Sequence, residues 1–149
     1  MNLNLIRHKV GPLFLCLLLL LSCKVQLISK YDEITDRSIN NLQEKVTKIL
    51  LRLDNEAGTP EAAYSNYQSS YEDVKVDLNT VKIRAAAIDK NTIVQNQLIL
   101  LDRNIQTLDS LHRKGLQKAE IPLLQSAFNQ SFTALVKLQM ALKRGESKN

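Results

Sequence analysis

Cysteine and histidine are the side chains best suited to covalent or acid–base chemistry, and this chain of 149 residues has two of each. Cys16 and Cys23 lie within or just after an apolar N-terminal run, whereas His112 follows Asp109 by three residues. On a helix, this spacing puts the carboxylate and the imidazole on one face. A di-iron bundle needs two such acid–histidine elements plus further glutamates, and the chain has one. The sequence therefore favours a capping role for Asp109 and His112, and it predicts no catalytic residue, metal site or cofactor.

The first 22 residues have the three parts of a secretory signal peptide. A basic start is followed by a leucine-rich run over residues 10–21 and then by the small residue Ser22. This run is shorter than the roughly 20 apolar residues that a membrane-spanning helix needs, which makes a retained signal anchor the weaker interpretation. Cleavage after Ser22 would discard Cys16 and leave Cys23 as the first residue and the sole thiol, so no internal disulfide could form.

The residues Leu20-Leu21-Ser22-Cys23 resemble the lipobox of bacterial lipoprotein precursors, in which an aliphatic, a variable and a small residue precede the cysteine. This resemblance implies cleavage between Ser22 and Cys23 and acylation of the Cys23 thiol, which makes membrane lipid a partner. In lipoproteins of enterobacterial type, an aspartate after the cysteine retains the protein in the inner membrane. Here Lys24 follows, which favours the periplasmic leaflet of the outer membrane. The alternative is an ordinary cysteine beside an ordinary export signal.

Four segments of the remaining chain carry apolar residues at alternating steps of three and four, and this period predicts an amphipathic helix in each. The predicted helices cover residues 32–57, 60–88 and 92–113, and a fourth runs from between 118 and 122 to 144 or 145. Gly58 and Gly115 are predicted to end helices, and Thr59 to cap the helix that Pro60 begins. The predicted seams are Ile39, Leu42, Val46, Ile49 and Leu53; Tyr64, Tyr67, Tyr71, Val74, Leu78, Val81, Ala85 and Ile88; Val94, Leu98, Leu101, Ile105 and Leu108; and Leu124, Phe128, Phe132, Leu135, Leu138 and Leu142.

Short links between four helices of similar length predict an all-α fold, an antiparallel up-down-up-down four-helix bundle. The predicted organisation is a signal peptide over 1–22, a lipidated N-terminus and tether over 23–31, a bundle over 32–145 and a polar tail over 146–149. A helical hairpin that pairs with a second molecule is the structural alternative, so an oligomer stays possible. The segments LISKYDEITD and GTPEAAY are similar to those of small uncharacterised helical lipoproteins of Gram-negative bacteria.

Two groups of side chains are candidates for contact with other molecules. Tyr64, Tyr67 and Tyr71 lie on one helical seam, where they could form an aromatic wall for a ligand or partner or could simply fill the core with their hydroxyls at the rim. In an antiparallel bundle the last helix ends beside the lipidated N-terminus. Lys143, Arg144 and Lys148 would then face the bilayer, unless these cations only complement the end of the helix.

The function expected from these patterns is that of an exported, lipid-anchored envelope protein that acts as a non-enzymatic accessory or scaffold with an envelope protein as its partner. The alternative is a small bundle that binds an apolar ligand or a peptide at the membrane surface. An enzyme is a third, weaker possibility. A nucleic-acid partner is disfavoured because the net charge is only +5, acids are interspersed and export would separate the two.

Overall fold

The computed structural model describes residues 28–146. The predicted signal peptide over residues 1–22, the predicted lipid site Cys23 and the tail residue Lys148 lie outside this range. Within it the chain forms four α-helices and no strand: α1 (Glu33–Glu56), α2 (Gln68–Ala86), α3 (Thr92–Arg113) and α4 (Ile121–Glu146). None of these helices is long and apolar enough to cross a membrane.

The helices pack in a ring in chain order, with α1 against α2, α2 against α3, α3 against α4 and α4 against α1. The α2–α3 pairing is antiparallel, because Lys75 bonds Asp109 while Lys82, one helical repeat later, bonds Asp102. The predicted all-α, antiparallel four-helix bundle is confirmed. We call the end where the described chain begins the proximal pole and the opposite end, where α1 and α3 finish, the distal pole.

The core follows the predicted seams almost completely. Of the predicted seam residues, only Tyr64, Ile88 and Leu138 are half-buried, and every other one is buried in one continuous hydrophobic cluster. In α4 the structure buries Gln139 where Leu138 was predicted. The reason is geometric. A turn has 3.6 residues, so the step of four from Phe128 to Phe132 moves the line of apolar side chains part of the way around the helix. Gln139 then lies on the inner face.

The second helix begins later than predicted. Two short 3-10 turns, Pro60–Ala62 and Tyr64–Asn66, occupy the span before α2 starts at Gln68. Ala63 separates the two turns with an extended backbone (ψ 136°), so the carbonyl of Ala62 is withheld from helical bonding. His112 takes that carbonyl instead, at 2.7 Å from its Nε2. A tertiary contact therefore accompanies the break between the two 3-10 turns.

The connections between the helices agree only in part with the predicted helix ends and caps. Gly58 and Gly115 follow α1 and α3 with φ values of +87° and +93°, the left-handed region where glycine has no Cβ penalty, as predicted. Thr59 does not cap with its side chain, since its hydroxyl donates back to the carbonyl of Glu56 at 2.8 Å. At the proximal pole the buried side chain of Asn91 donates to the carbonyl of Ala85 and closes the α2–α3 turn.

The buried amide of Gln139 is a weak point of the core. It is 2 % exposed, and neither its Nε2 nor its Oε1 has a hydrogen-bond partner. Burying an unpaired amide costs free energy, so we expect Gln139→Leu to raise the free energy of unfolding by about 1–2 kcal/mol in urea denaturation. Gln130→Leu, at an exposed position of the same helix, is the control and should leave it unchanged. A destabilised Gln139→Leu protein would contradict this account.

Candidate functional site

The most distinctive polar cluster of the described chain lies at the distal pole. Tyr64, Tyr67 and Tyr71, which the sequence places on one seam, surround the ring of His112. Tyr64 and Tyr71 stack with 5.6 Å between ring centroids, and His112 stands edge-on to all three tyrosines at 4.9–5.7 Å. Tyr64 begins the second 3-10 turn and Tyr67 directly follows it, α2 carries Tyr71, and the last turn of α3 carries His112.

His112 joins α2 to the α1–α2 connection. Its Nε2 lies 2.7 Å from the carbonyl oxygen of Ala62, and its Nδ1 lies 2.9 Å from the hydroxyl of Tyr71. A carbonyl oxygen can only accept, so Nε2 carries a hydrogen. In the neutral ring, Nδ1 then accepts from the Tyr71 hydroxyl. Both ring nitrogens of this buried histidine are therefore used inside the fold.

Asp109 is the second hub of the cluster. Its carboxylate accepts from the Tyr64 hydroxyl at 2.7 Å, from the Lys75 ammonium at 2.6 Å and from Arg113 Nε at 3.2 Å. The Arg113 guanidinium also lies over the Tyr64 ring, 4.4 Å from its centroid. The carboxylate thus has a partner on the α1–α2 connection, on α2 and on its own helix.

Tyr67 is held in the same way at the end of α1. Its buried hydroxyl donates to Glu56 at 2.5 Å. Arg52, one turn earlier on α1, lies over the Tyr67 ring at 4.3 Å and bonds Glu56 at 3.4 Å. Each tyrosine hydroxyl of the cluster therefore reaches a polar partner, as buried tyrosines usually do.

The cluster keeps its tyrosines protonated and its carboxylate charged. Burial raises the pKa of Tyr71, and burial together with the bond to Glu56 raises the pKa of Tyr67. Burial alone would raise the pKa of Asp109, but hydrogen bonds from Lys75, Tyr64 and Arg113 outweigh it and lower the pKa to about 2. At neutral pH the tyrosines act as hydrogen-bond donors and Asp109 as an acceptor.

These shifts predict a specific loss of stability in acid. The folded-state pKa of Asp109 lies below its ordinary value of 3.8, so its stabilising effect is complete above that pH and is lost as the pH falls toward 2. Because the partners Lys75 and Arg113 are half-exposed, solvent screens part of the effect, and we expect about 1–2 kcal/mol. Urea denaturation between pH 5 and pH 2 measures it.

The matched variants for this measurement are Asp109→Asn and Asp73→Asn, which carry the same change at a buried and an exposed position. We expect Asp109→Asn to be less stable than the parent at pH 6 and to lose much less stability between pH 4 and pH 2. Asp73→Asn should follow the parent. Parallel curves for Asp109→Asn and the parent would show that Asp109 has no such role.

A cleft opens beside the cluster, between the α1–α2 and the α3–α4 connections. Its volume is about 540 Å³, and its walls include Leu53, Tyr64, His112, Leu116 and Lys118. The mixed lining and this size suit an apolar group or a peptide side chain. Among residues 28–146 there is no group of three histidine, cysteine, aspartate or glutamate side chains that could hold a metal ion.

The structure brings some sequence candidates together and reassigns others. The capping role predicted for Asp109 and His112 is wrong, because both are buried and bond the tyrosine cluster. The signal for this was present, since His112 continues the α3 seam four residues after Leu108. At the proximal pole, Lys143 and Arg144 lie in the last turn of α4, and Lys143 stands over the Tyr31 ring at 5.4 Å.

Comparison of the chain with protein-family models, with curated proteins and with solved structures finds no match. The fold and the site define an all-α four-helix bundle whose polar cluster ties the α1–α2 connection, residues 57–67, to the helices. We call these residues the distal connection.

Proposed function

We propose that the chain is a lipid-anchored envelope protein, attached through acylated Cys23, whose bundle is a scaffold for a protein partner rather than an enzyme. After signal cleavage, a protein of this kind would stand on the periplasmic leaflet of the outer membrane. The residues that resemble a lipobox supply the anchor. The described bundle supplies a rigid body with one end turned toward the anchor.

The observation that carries this proposal is how firmly the start of the chain is attached to the proximal pole. The Ser29 hydroxyl donates to Asn91 at 2.9 Å, and the Asp32 carboxylate takes a bidentate bond from Arg84 at 2.5 and 2.7 Å. The hydrogen bonds to Arg84 hold the pKa of Asp32 well below its usual range, so the pair persists near neutral pH. Because the start of the described chain is bonded to the proximal pole in this way, an anchor at Cys23 would hold the whole bundle near the membrane.

The polar cluster at the distal pole supports a scaffold over an enzyme. Its histidine uses both ring nitrogens, its carboxylate has three donors, and each tyrosine hydroxyl has a partner. A general acid or base must instead reach a substrate with its reactive atom. The cluster is better suited to holding the distal connection in one shape, which is what a docking surface needs.

The two cysteines of the chain give a matched test of the anchor. We expect Cys23→Ala to abolish incorporation of a fatty-acid probe in cells and to leave a precursor that keeps residues 1–22. Cys16→Ala removes a thiol from the predicted signal and should be labelled and processed like the parent. Labelling that persists in Cys23→Ala, or that disappears in Cys16→Ala, would overturn the lipid assignment. Crosslinking in intact cells and identification of what is captured then tests for the partner.

The cleft at the distal pole favours a second candidate function, the binding of a small apolar ligand or peptide. We expect a binding protein to take up one equivalent of the dye anilinonaphthalene sulfonate in the cleft. Ala63→Trp, which places a large ring in the lining, should prevent uptake. Equal uptake by both proteins would count against this function.

A further inference from the structure

Exposed aliphatic side chains are concentrated at the proximal pole. Five of them lie near helix ends there, and we call this set the proximal collar: Ile28, Ile34, Ile83, Ile93 and Met140. Each of the four helices contributes one member, and Ile28 comes from the segment before α1. Among the described residues, the distal pole has only Leu51 and Leu123 at comparable distances from helix ends. The two ends of the bundle therefore differ in their exposed apolar surface.

The collar forms a shallow band around the pole. Ile34 and Ile93 are the second residues of α1 and α3, and Ile83 lies three residues before the end of α2. Met140 lies deepest, six residues or about 9 Å from the end of α4. Amphipathic surfaces that lie in a membrane interface bury their apolar side chains about 5–10 Å deep. A bundle standing on this pole would immerse the collar to a similar depth.

The start of the chain indicates what covers this pole. Five residue steps separate Cys23 from Ile28, and a fully extended chain of that length spans at most about 17 Å. An anchor at Cys23 therefore keeps a bilayer within reach of the collar in any orientation, whereas the distal pole reaches the bilayer only if the bundle tilts onto its side. The exposed cations Lys30, Lys143 and Arg144 lie at the same pole, where long basic side chains can reach phosphate groups. Of the acids at this pole, Asp32 and Glu33 are paired with Arg84 and Arg37, and Asp36 accepts from the Tyr31 hydroxyl. Asp89 and Glu146 are exposed there as well.

We propose that the proximal collar inserts into the headgroup region of a lipid bilayer and holds the bundle upright on the membrane. This inference rests on the proposed anchoring through Cys23 and adds an orientation to it. The distal pole, with the tyrosine cluster and the cleft, then faces away from the membrane toward a partner.

The absence of tryptophan from the sequence allows a direct test with single tryptophans. Ile83 and Val76 are both 64 % exposed on the outer face of α2, and seven residues place Val76 about 10 Å farther from the proximal pole. Ile83→Trp reports on the collar and Val76→Trp is its matched control. Leu123→Trp, 74 % exposed on α4, reports on the distal pole.

The protein for this test is the chain from Cys23 to Asn149, which contains all four helices and the whole described core. Its one thiol couples to a maleimide phospholipid in vesicles of phosphatidylethanolamine and phosphatidylglycerol. This tether replaces the natural acyl chains, so the result does not depend on whether cells acylate Cys23. Phospholipids brominated near the headgroup quench a tryptophan only when it enters the interface.

We expect about a twofold loss of emission for Ile83→Trp, as for a side chain within the headgroup region, and no loss for Val76→Trp or Leu123→Trp. Absence of quenching at all three positions would show that the bundle stands off the bilayer and would overturn the inference. Equal quenching at Ile83→Trp and Val76→Trp would mean that α2 lies along the membrane, which overturns it as well. Quenching of Leu123→Trp alone would reverse the orientation. If Cys23→Ala is still labelled in cells, the proposed lipid anchor is wrong. The quenching experiment with the chemically tethered protein tests the orientation separately.

Discussion

Val81→Asp is expected to destabilise the bundle by about 3–5 kcal/mol, enough to unfold much of a protein of ordinary stability. Val81 is 1 % exposed on the α2 seam. A carboxylate at this position would lose its hydration and would have only the apolar core around it. Urea denaturation followed by far-UV circular dichroism measures the change in free energy of unfolding.

Val76→Asp is the matched control for this prediction, because it makes the same change on the same helix at a side chain that is 64 % exposed. A surface substitution of this kind changes stability by about 0.5 kcal/mol or less. The difference between the two variants isolates burial from the helix propensity of aspartate. Equal effects at Val81 and Val76 would contradict the burial of the α2 seam and with it the bundle.

His112→Ala is expected to cost about 3 kcal/mol, through a cavity in the distal pole and the loss of two hydrogen bonds. The buried Tyr71 hydroxyl would lose its partner, and the Ala62 carbonyl would lose the donor that holds the distal connection. We therefore expect faster amide hydrogen exchange over residues 57–67 than in the parent, measured by mass spectrometry under native conditions.

Two further variants separate the contributions of the histidine. Tyr71→Phe removes one hydroxyl and no volume of the ring, so it should cost about 1–2 kcal/mol, less than His112→Ala. Ser110→Ala changes an exposed neighbour on α3 and should leave both stability and exchange unchanged. If amide exchange in the distal connection of His112→Ala were as slow as in the parent, His112 would not be the residue that holds this connection in place.

The acid sensitivity of Asp109 and the effect of His112→Ala concern the same end of the molecule. Both hubs bond residues from the α1–α2 connection, Asp109 through Tyr64 and His112 through Ala62. Residues in one hydrogen-bonded network do not contribute additively. We therefore expect the variant that combines Asp109→Asn with His112→Ala to lose less free energy of unfolding than the sum of the two single losses. A double-mutant cycle measures this coupling.

Local sequence patterns predict the four helices, most of their seam residues and their order, although α2 begins later than predicted. An apolar period of three and four depends only on which residues face one side of a helix, so local spacing was enough to identify nearly every core residue. α3 was predicted over residues 92–113, as the structure has it. The role of the glycines that follow α1 and α3 could also be predicted, because the left-handed backbone that ends these helices strongly favours glycine.

The contacts at the distal pole depend on the packing of the helices and could not be predicted from the sequence. His112 and Asp109 look like end-of-helix polar residues in the sequence, but the ring of four helices places them against tyrosines that lie 41 and 45 residues away. The break before α2 also involves a distant partner, since the Ala62 carbonyl is outside helical bonding and accepts from a histidine 50 residues later. Such bonds depend on which helices become neighbours, and a local pattern carries no information about partners so distant in the chain.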